Sequence, residues 1–219
     1  MELFRMRNLF LISLSVILFS ACHFSVCHSY KKVKSDETKR NFDTYFSDSD
    51  SSYLYQSEIR FMKNYYSGMM VIKHQSDSVS RVVFLTEMGI KVFDFEIRNP
   101  LNYKDFYKVF YIMEPLSKKI IQKTLANDLG LLLQNAGEKD KKYYISKNNE
   151  DIVKIKNHCK HYLYFFEKDK ENFKVMDVHS LCLKKAEVFF YSHLGLPPDS
   201  ISVHHSGMKL DYTFRRLKQ

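Results

Sequence analysis

The spacing of apolar and polar positions changes several times along the chain, and each change marks a part. Leu9 to Leu18 is an uncharged, mostly apolar run behind Arg5 and Arg7, and it closes on Ser20, Ala21 and Cys22. Crossing hydrocarbon takes about 20 apolar residues, so this shorter run reads as the core of an export signal covering residues 1–21. Residues 22–52 have no period. They are mixed and basic to Lys34, then acidic and serine-rich to Ser52, which predicts a flexible tether. Tyr55, Ile59, Met62 and Tyr66 then recur at four, three and four, which predicts a short helix over Tyr53–Tyr66 running into a strand. Met69–Lys73 and Arg81–Thr86 read as strands across the polar stretch His74–Ser80. Glu87-Met88-Gly89 reads as the next turn, with Gly89 in the left-handed region. In Ile90–Ile97, Phe93, Phe95 and Ile97 alternate with Asp94 and Glu96, the pattern of a half-buried antiparallel strand whose carboxylates face solvent. Asn99-Pro100 ends this meander.

A helical period follows. Pro115 stands where a first helical residue is tolerated, and Leu116, Ile120, Leu125, Leu129 and Leu132 form a stripe that Ile121 and Leu133 widen. Gly130 weakens that helix by only about 1 kcal/mol relative to Ala, and Asn135-Ala136-Gly137 stops it. Strand patterns resume at 143–146, 152–166, 173–183, 186–193, 201–205 and 209–217. The domain over residues 53–219 is therefore expected to be mainly β (α+β). Its expected form is a curled antiparallel sheet or incomplete β-barrel covered by the inserted helix.

The end of the export signal separates two outcomes. Phe19 spoils an ordinary cleavage site after Ala21, whereas Leu18-Phe19-Ser20-Ala21-Cys22 resembles the bacterial lipobox, with Phe19 in place of the usual Leu. That resemblance implies that Cys22 is lipidated, with palmitate or a similar chain, and becomes the mature N-terminus. An uncleaved anchor and plain secretion are the alternatives. No dense acidic run follows Cys22, so the expected location is the cell envelope, on the outer membrane and facing the periplasm.

Composition narrows the partners. The chain has 219 residues, enough for one core, with 18 Phe, 15 Tyr, 6 Gly and no Trp. Losing residues 1–21 takes the net charge from +9 to +8, because that segment carries Arg5 and Arg7 against Glu2. Such a balance suits nucleic acid or an anionic membrane surface, and the export signal selects the membrane. No nucleic-acid partner is expected, and the protein is expected to be a monomer. Beyond Cys22, the remaining Cys27, Cys159 and Cys182 allow at most one disulfide. If Lys170-Glu171 form a turn, the ladder beside it opposes Cys159 and Cys182 closely enough to bridge. Two reduced buried thiols are the other outcome.

Catalytic constellations are poor. No GxSxG, GxGxxG, Walker loop or HExxH occurs, so no enzyme activity and no cofactor are expected. Cys159 and His161 share a strand parity and His204-His205 do not, and without a third ligand no metal site is expected.

The order of elements resembles that of the bacterial lipoprotein-localisation factors, the periplasmic carrier and especially its lipid-anchored outer-membrane receptor. The stretch from Tyr55 to Ile97, YQSEIRFMKNYYSGMMVIKHQSDSVSRVVFLTEMGIKVFDFEI, is similar to that family's opening, and PPDSISVHHSGMKLDYTFRRLK to its closing hairpin. The resemblance implies an incomplete barrel, lidded by helix, whose apolar cavity receives acyl chains. It also implies binding of acylated protein or lipid cargo in transit to the outer membrane. The alternative is a structural or assembly lipoprotein with a filled core that docks on envelope proteins. Beside the resemblance, Met69–Ile72 and Val82–Leu85 are apolar on both parities, and methionine adapts to variable chains. Met70, Ile72, Val83, Leu85, Phe93 and Phe95 are thus the candidate cavity lining, with ordinary core as the alternative. Arg81, on the parity of Val83 and Leu85, is the candidate head-group contact, or else a solvated strand-end charge.

Overall fold

A computed structural model of the chain describes residues 30–33, 46, 52–76, 79–98, 106–133, 141–148, 150–157, 160–166, 173–180, 183–191 and 197–217. Among these residues, the strands in chain order are β1 (Lys31–Lys32), β2 (Ser52–Phe61), β3 (Asn64–Ser76), β4 (Val79–Thr86), β5 (Lys91–Arg98) and β6 (Tyr107–Ile112). A 3-10 turn at Glu114–Leu116 and the helix α1 (Lys119–Leu133) follow. The chain then returns to sheet as β7 (Lys141–Ile145), β8 (Asp151–Asn157), β9 (Lys160–Phe166), β10 (Phe173–Ser180), β11 (Leu183–Tyr191), β12 (Ser200–His205) and β13 (Leu210–Arg216).

All of them form one antiparallel sheet in the order β1-β7-β8-β9-β10-β11-β12-β13-β2-β3-β4-β5-β6. The closing strand β13 pairs with β2, so the meander before the helix and the meander after it merge into one surface. The expected architecture, a curled sheet carrying one helix and not closed into a barrel, is the observed one.

The curl follows from two neighbouring residues of α1. Asp128 bonds His205 of β12 and Tyr212 of β13. Two residues later, a Cβ built at Gly130 would lie 3.7 Å from Ile97 of β5 and from Phe106. Five strand spacings separate β12 from β5, roughly 24 Å in a flat sheet, while a helix is only about 10 to 12 Å across. Both contacts are possible only if the sheet wraps the helix.

Three sequence expectations change. The stretch 53–66 is not helical: β2 buries Tyr53, Tyr55, Ser57, Ile59 and Phe61 in strict alternation and turns into β3 at Met62, which takes φ 54°. Ser57 on the inward face breaks the apolar alternation in sequence, and the exposed turn residue Met62 and the inward Tyr66, opposite Ile59, imitate a helical stripe. Residues 152–166 are a hairpin rather than one strand, with Asn157 opposite Lys160. The stretch read as a tether also gives two pieces to the domain. Lys31–Lys32 pairs with β7, and Tyr30 joins Tyr144 and Phe165 over Ile152 and Leu163 on the outer face. Phe46 is buried in the main core, edge-on to Tyr53 and Tyr55 at 5.2 and 6.1 Å between centroids.

Candidate functional site

The hollow of the sheet is apolar and is filled by α1. Directly opposed residues of an antiparallel ladder share a face, so the pairings Met70–Phe84–Phe93 and Ile72–Val82–Phe95 set two rows that point inward. All six are buried, and Phe93 stacks on Phe95 with centroids 5.1 Å apart. Against this face the helix buries Ile121, Leu125, Ala126, Leu129, Leu132 and Leu133. Pro115 lies in the 3-10 turn ahead of the helix, where Ser117 Oγ donates to the Glu114 carbonyl at 2.7 Å. The lid helix therefore begins close to where its stripe predicts.

Of the candidate lining, Met70, Ile72, Phe93 and Phe95 come together on the inner face, whereas Val83 and Leu85 lie on the outer one, opposite Val71 and Met69. Both parities of Val82–Leu85 are apolar, so strand periodicity alone cannot orient them. Arg81 follows Val83 outward and meets no hollow. Its Nε bonds the Asp94 carboxylate, and its guanidinium sits 3.5 Å from the Phe110 ring centroid. Asp94 also accepts from Lys91 Nζ at 2.9 Å and is 3% exposed. It is a buried ion pair, not the solvated carboxylate that its alternation suggested. Burial alone would raise its pKa, but the bonds from Arg81 and Lys91 hold it below the usual carboxylate range.

A charged cluster interrupts the interior, which also holds the buried hydroxyls of Ser57 and Ser80. Asp128, on the buried side of α1, accepts from Tyr212 Oη and from His205 Nε2, the latter at 3.0 Å. His205 Nδ1 lies 2.7 Å from the Leu210 carbonyl. Both ring nitrogens thus face acceptors, so the cluster is fully bonded when the imidazole carries both protons. Burial alone would lower the His205 value, but the bond to Asp128 and its charge, with the Leu210 carbonyl, raise it. Burial and then the same carboxylate push Tyr212 well above the ordinary phenol range, and they move Tyr162 the same way. The cluster joins helix to sheet by directional bonds, whereas the neighbouring helix contacts are apolar. The sequence presented His205 only as a metal-ligand candidate, and Asp128 and Tyr212 gave no expectation at all. The visible signal is Asp128 itself, a lone carboxylate between Leu125, Ala126 and Leu129 on the greasy stripe.

Cys22, Cys27, Cys159 and Cys182 lie outside the described residues. The ladder beside the last two pairs His161 with His179 and Lys160 with Ser180, whereas opposing Cys159 to Cys182 requires His161 opposite Ser180. The register expected from the Lys170-Glu171 turn is therefore off by one, and β10 also carries an irregularity between Phe173 and Val175 that a turn alone does not predict.

No family model matches the chain, and no curated protein matches it. Among solved structures, it is similar to a domain from Vibrio parahaemolyticus described as a candidate outer membrane lipoprotein-sorting protein. That likeness has a TM-score of 0.44 and 7% identity, covering 80% of this chain and 86% of that one. It is also similar to a DUF1329 family protein from Desulfovibrio piger, with a TM-score of 0.42 and 8% identity over 78% and 86% of the two chains.

Proposed function

We propose that the hollow of the sheet takes an acyl chain, from a lipid or a lipidated protein, when α1 swings out, and that the protein is a lipid-anchored envelope carrier for such cargo. In this reading Cys22 holds it on the outer membrane, facing the periplasm. The observation that carries the reading is the fastening of the helix. A helix that belongs permanently to a core needs no charge inside it, and burying one costs free energy unless it is bonded. Here a carboxylate on the helix meets an imidazole and a phenol on the sheet, within an open-edged sheet whose inward rows are apolar. Such a bond breaks as a unit and leaves a greasy trough with two hydrogen-bond donors at its wall.

The test is binding of a fluorescent fatty acid and of an acylated peptide to the full chain. Asp128→Asn, which weakens the fastening, should tighten binding. A cross-link between Gly130→Cys and Ile97→Cys, which pins the helix, should abolish it until reduced. Failure of all variants to bind either probe would overturn the carrier reading. The burial of Met70, Ile72, Phe93 and Phe95 favours a second reading, an assembly lipoprotein with a filled core that docks through its surface. It predicts no binding in any variant, and Met70→Phe then costs about 1 to 3 kcal/mol of stability with no ligand affinity to lose.

A further inference from the structure

The two ends of the sheet differ. In an antiparallel meander alternate connections lie at the same end, so the turns β10–β11, β12–β13, β2–β3 and β4–β5 share one rim across eight consecutive strands. Backbone bonds knit it together: Met62 N donates to the Lys209 carbonyl at 2.8 Å, and Ser206 N to the Lys185 carbonyl at 2.9 Å. Each of the four tips carries an apolar residue followed directly by lysine, namely Leu183-Lys184, Met208-Lys209, Met62-Lys63 and Ile90-Lys91. Met88 is 89% exposed, Met62 66%, Leu183 62% and Ile90 53%, while Met208 leans on the core. Lys91 and Lys184 are engaged by Asp94 and by Asp177 and Glu187, and Lys63, Lys185 and Lys209 stand exposed. The β4–β5 tip also holds Glu87, which accepts from Ser67 Oγ at 3.0 Å, and among the described residues the β7–β8 connection at the other end carries Lys147 and Glu150.

We propose that this rim docks the domain on a lipid bilayer with anionic headgroups, the Leu183, Met62, Met88 and Ile90 side chains entering the interface and the lysines lying against phosphate. Exposed aliphatic side chains cost nothing to a monomer singly, but four at one end form a surface that calls for a partner. Hairpin tips recur about every 10 Å along a sheet. Isolated side chains at that spacing suit a fluid surface, which closes around each one, better than a rigid partner with a pocket for each. Lysines beside them add attraction to anionic lipid within a Debye length of the surface. This inference does not depend on the acyl-binding reading, because the rim lies at the strand ends and the hollow on the sheet's inner face.

The chain has no tryptophan, so one introduced indole reports its own depth. Full-length Met88→Trp, Leu183→Trp and Lys147→Trp chains are to be mixed with vesicles whose acyl chains are brominated, made of phosphatidylcholine alone or equimolar with phosphatidylglycerol. Depth, rather than attachment, is what quenching reads, so an N-terminal anchor does not mask the result. Quenching is expected for Met88→Trp and Leu183→Trp, more strongly with phosphatidylglycerol, and not for Lys147→Trp in the β7–β8 turn. Adding Met62→Ser and Met88→Ser to the Leu183→Trp chain should weaken its partition about tenfold. Equal quenching at both ends, or no dependence on phosphatidylglycerol, would overturn the proposal. So would unquenched rim indoles, and if the serine changes also dissolved a dimer the tips would be assigned to a second copy of the chain.

Discussion

Asp128 and His205 are 77 residues apart in the chain and 3.0 Å apart across the hollow of the sheet. Their contact makes the helix more than a cover: it ties the middle of α1 to the last hairpin, which itself pairs with the first long strand. One carboxylate therefore fixes where the middle of the helix lies against the last hairpin.

That dependence has a pH signature. The His205 value is raised in the folded protein, whereas in an unfolded chain it is about 6.5. Below about pH 6.5 both states hold the proton and the contribution is complete; it is lost as pH rises through the raised folded value. Denaturant midpoints measured across this range should fall with rising pH, and Asp128→Asn should flatten the fall. Asp128→Ala, which leaves His205 and Tyr212 without their acceptor, should cost about 3 to 5 kcal/mol. An unchanged slope in Asp128→Asn would remove His205 as its source.

The acid limb belongs to the outer face. Asp94 is held below the usual range by Arg81 and Lys91, and Asp177 likewise by His179 and Lys184. Their contribution is complete above about pH 3.9, the unfolded value, and is lost as pH falls through the lowered folded values. Stability should then peak between about pH 4 and 6.5. Because Lys91 is half exposed, Asp94→Asn should cost only about 2 kcal/mol at neutral pH, within the range for bonds to charged groups. It should also shift acid unfolding in titrations followed by circular dichroism.

Two glycines should respond in opposite directions to alanine. A Cβ at Gly68 would lie 1.9 Å from the Leu85 carbonyl oxygen, where β3 and β4 approach closely beside the irregularity at Phe84–Leu85. Backbone has to move, so Gly68→Ala should lower stability by about 3 kcal/mol, the upper end for overpacking. At Gly130 the added methyl meets only ordinary contacts, and Gly130→Ala should gain up to about 1 kcal/mol of helix propensity. Thermal melts of both variants decide the matter, and a loss at Gly130 would mean that the helix sits tighter on Phe106 and Ile97 than these distances allow.

The anchor is tested by metabolic labelling with a fatty acid. Cys22→Ala should abolish the label and release the protein from the membrane fraction, and a label that survives would exclude Cys22 as the lipidated residue.

Local chemistry in the sequence settled the parts of the fold that depend on neighbours along the chain. Gly89 takes φ 77° in the turn where its lack of a side chain is useful, Phe93 and Asp94 take opposite faces of β5, and the stripe from Leu116 to Leu133 runs through the 3-10 turn into α1. These features need no distant partner, because backbone sterics and a period of 2 or 3.6 suffice. Facing was different. With Val82, Val83, Phe84 and Leu85 all apolar, either parity satisfies the pattern, and the choice fell to Met70, Ile72, Phe93 and Phe95, which adjoin Val82 and Phe84 in the folded sheet. Register was also tertiary: irregularities at His74–Ser76, Phe84–Leu85, Asp94–Phe95 and Val178–His179 each shift the pairing by a residue that no turn motif announces. The polar cluster lay furthest from view. Asp128 is unfavourable in its own helix face, and it becomes favourable only when His205 and Tyr212, 77 and 84 residues later, arrive with hydrogens to donate.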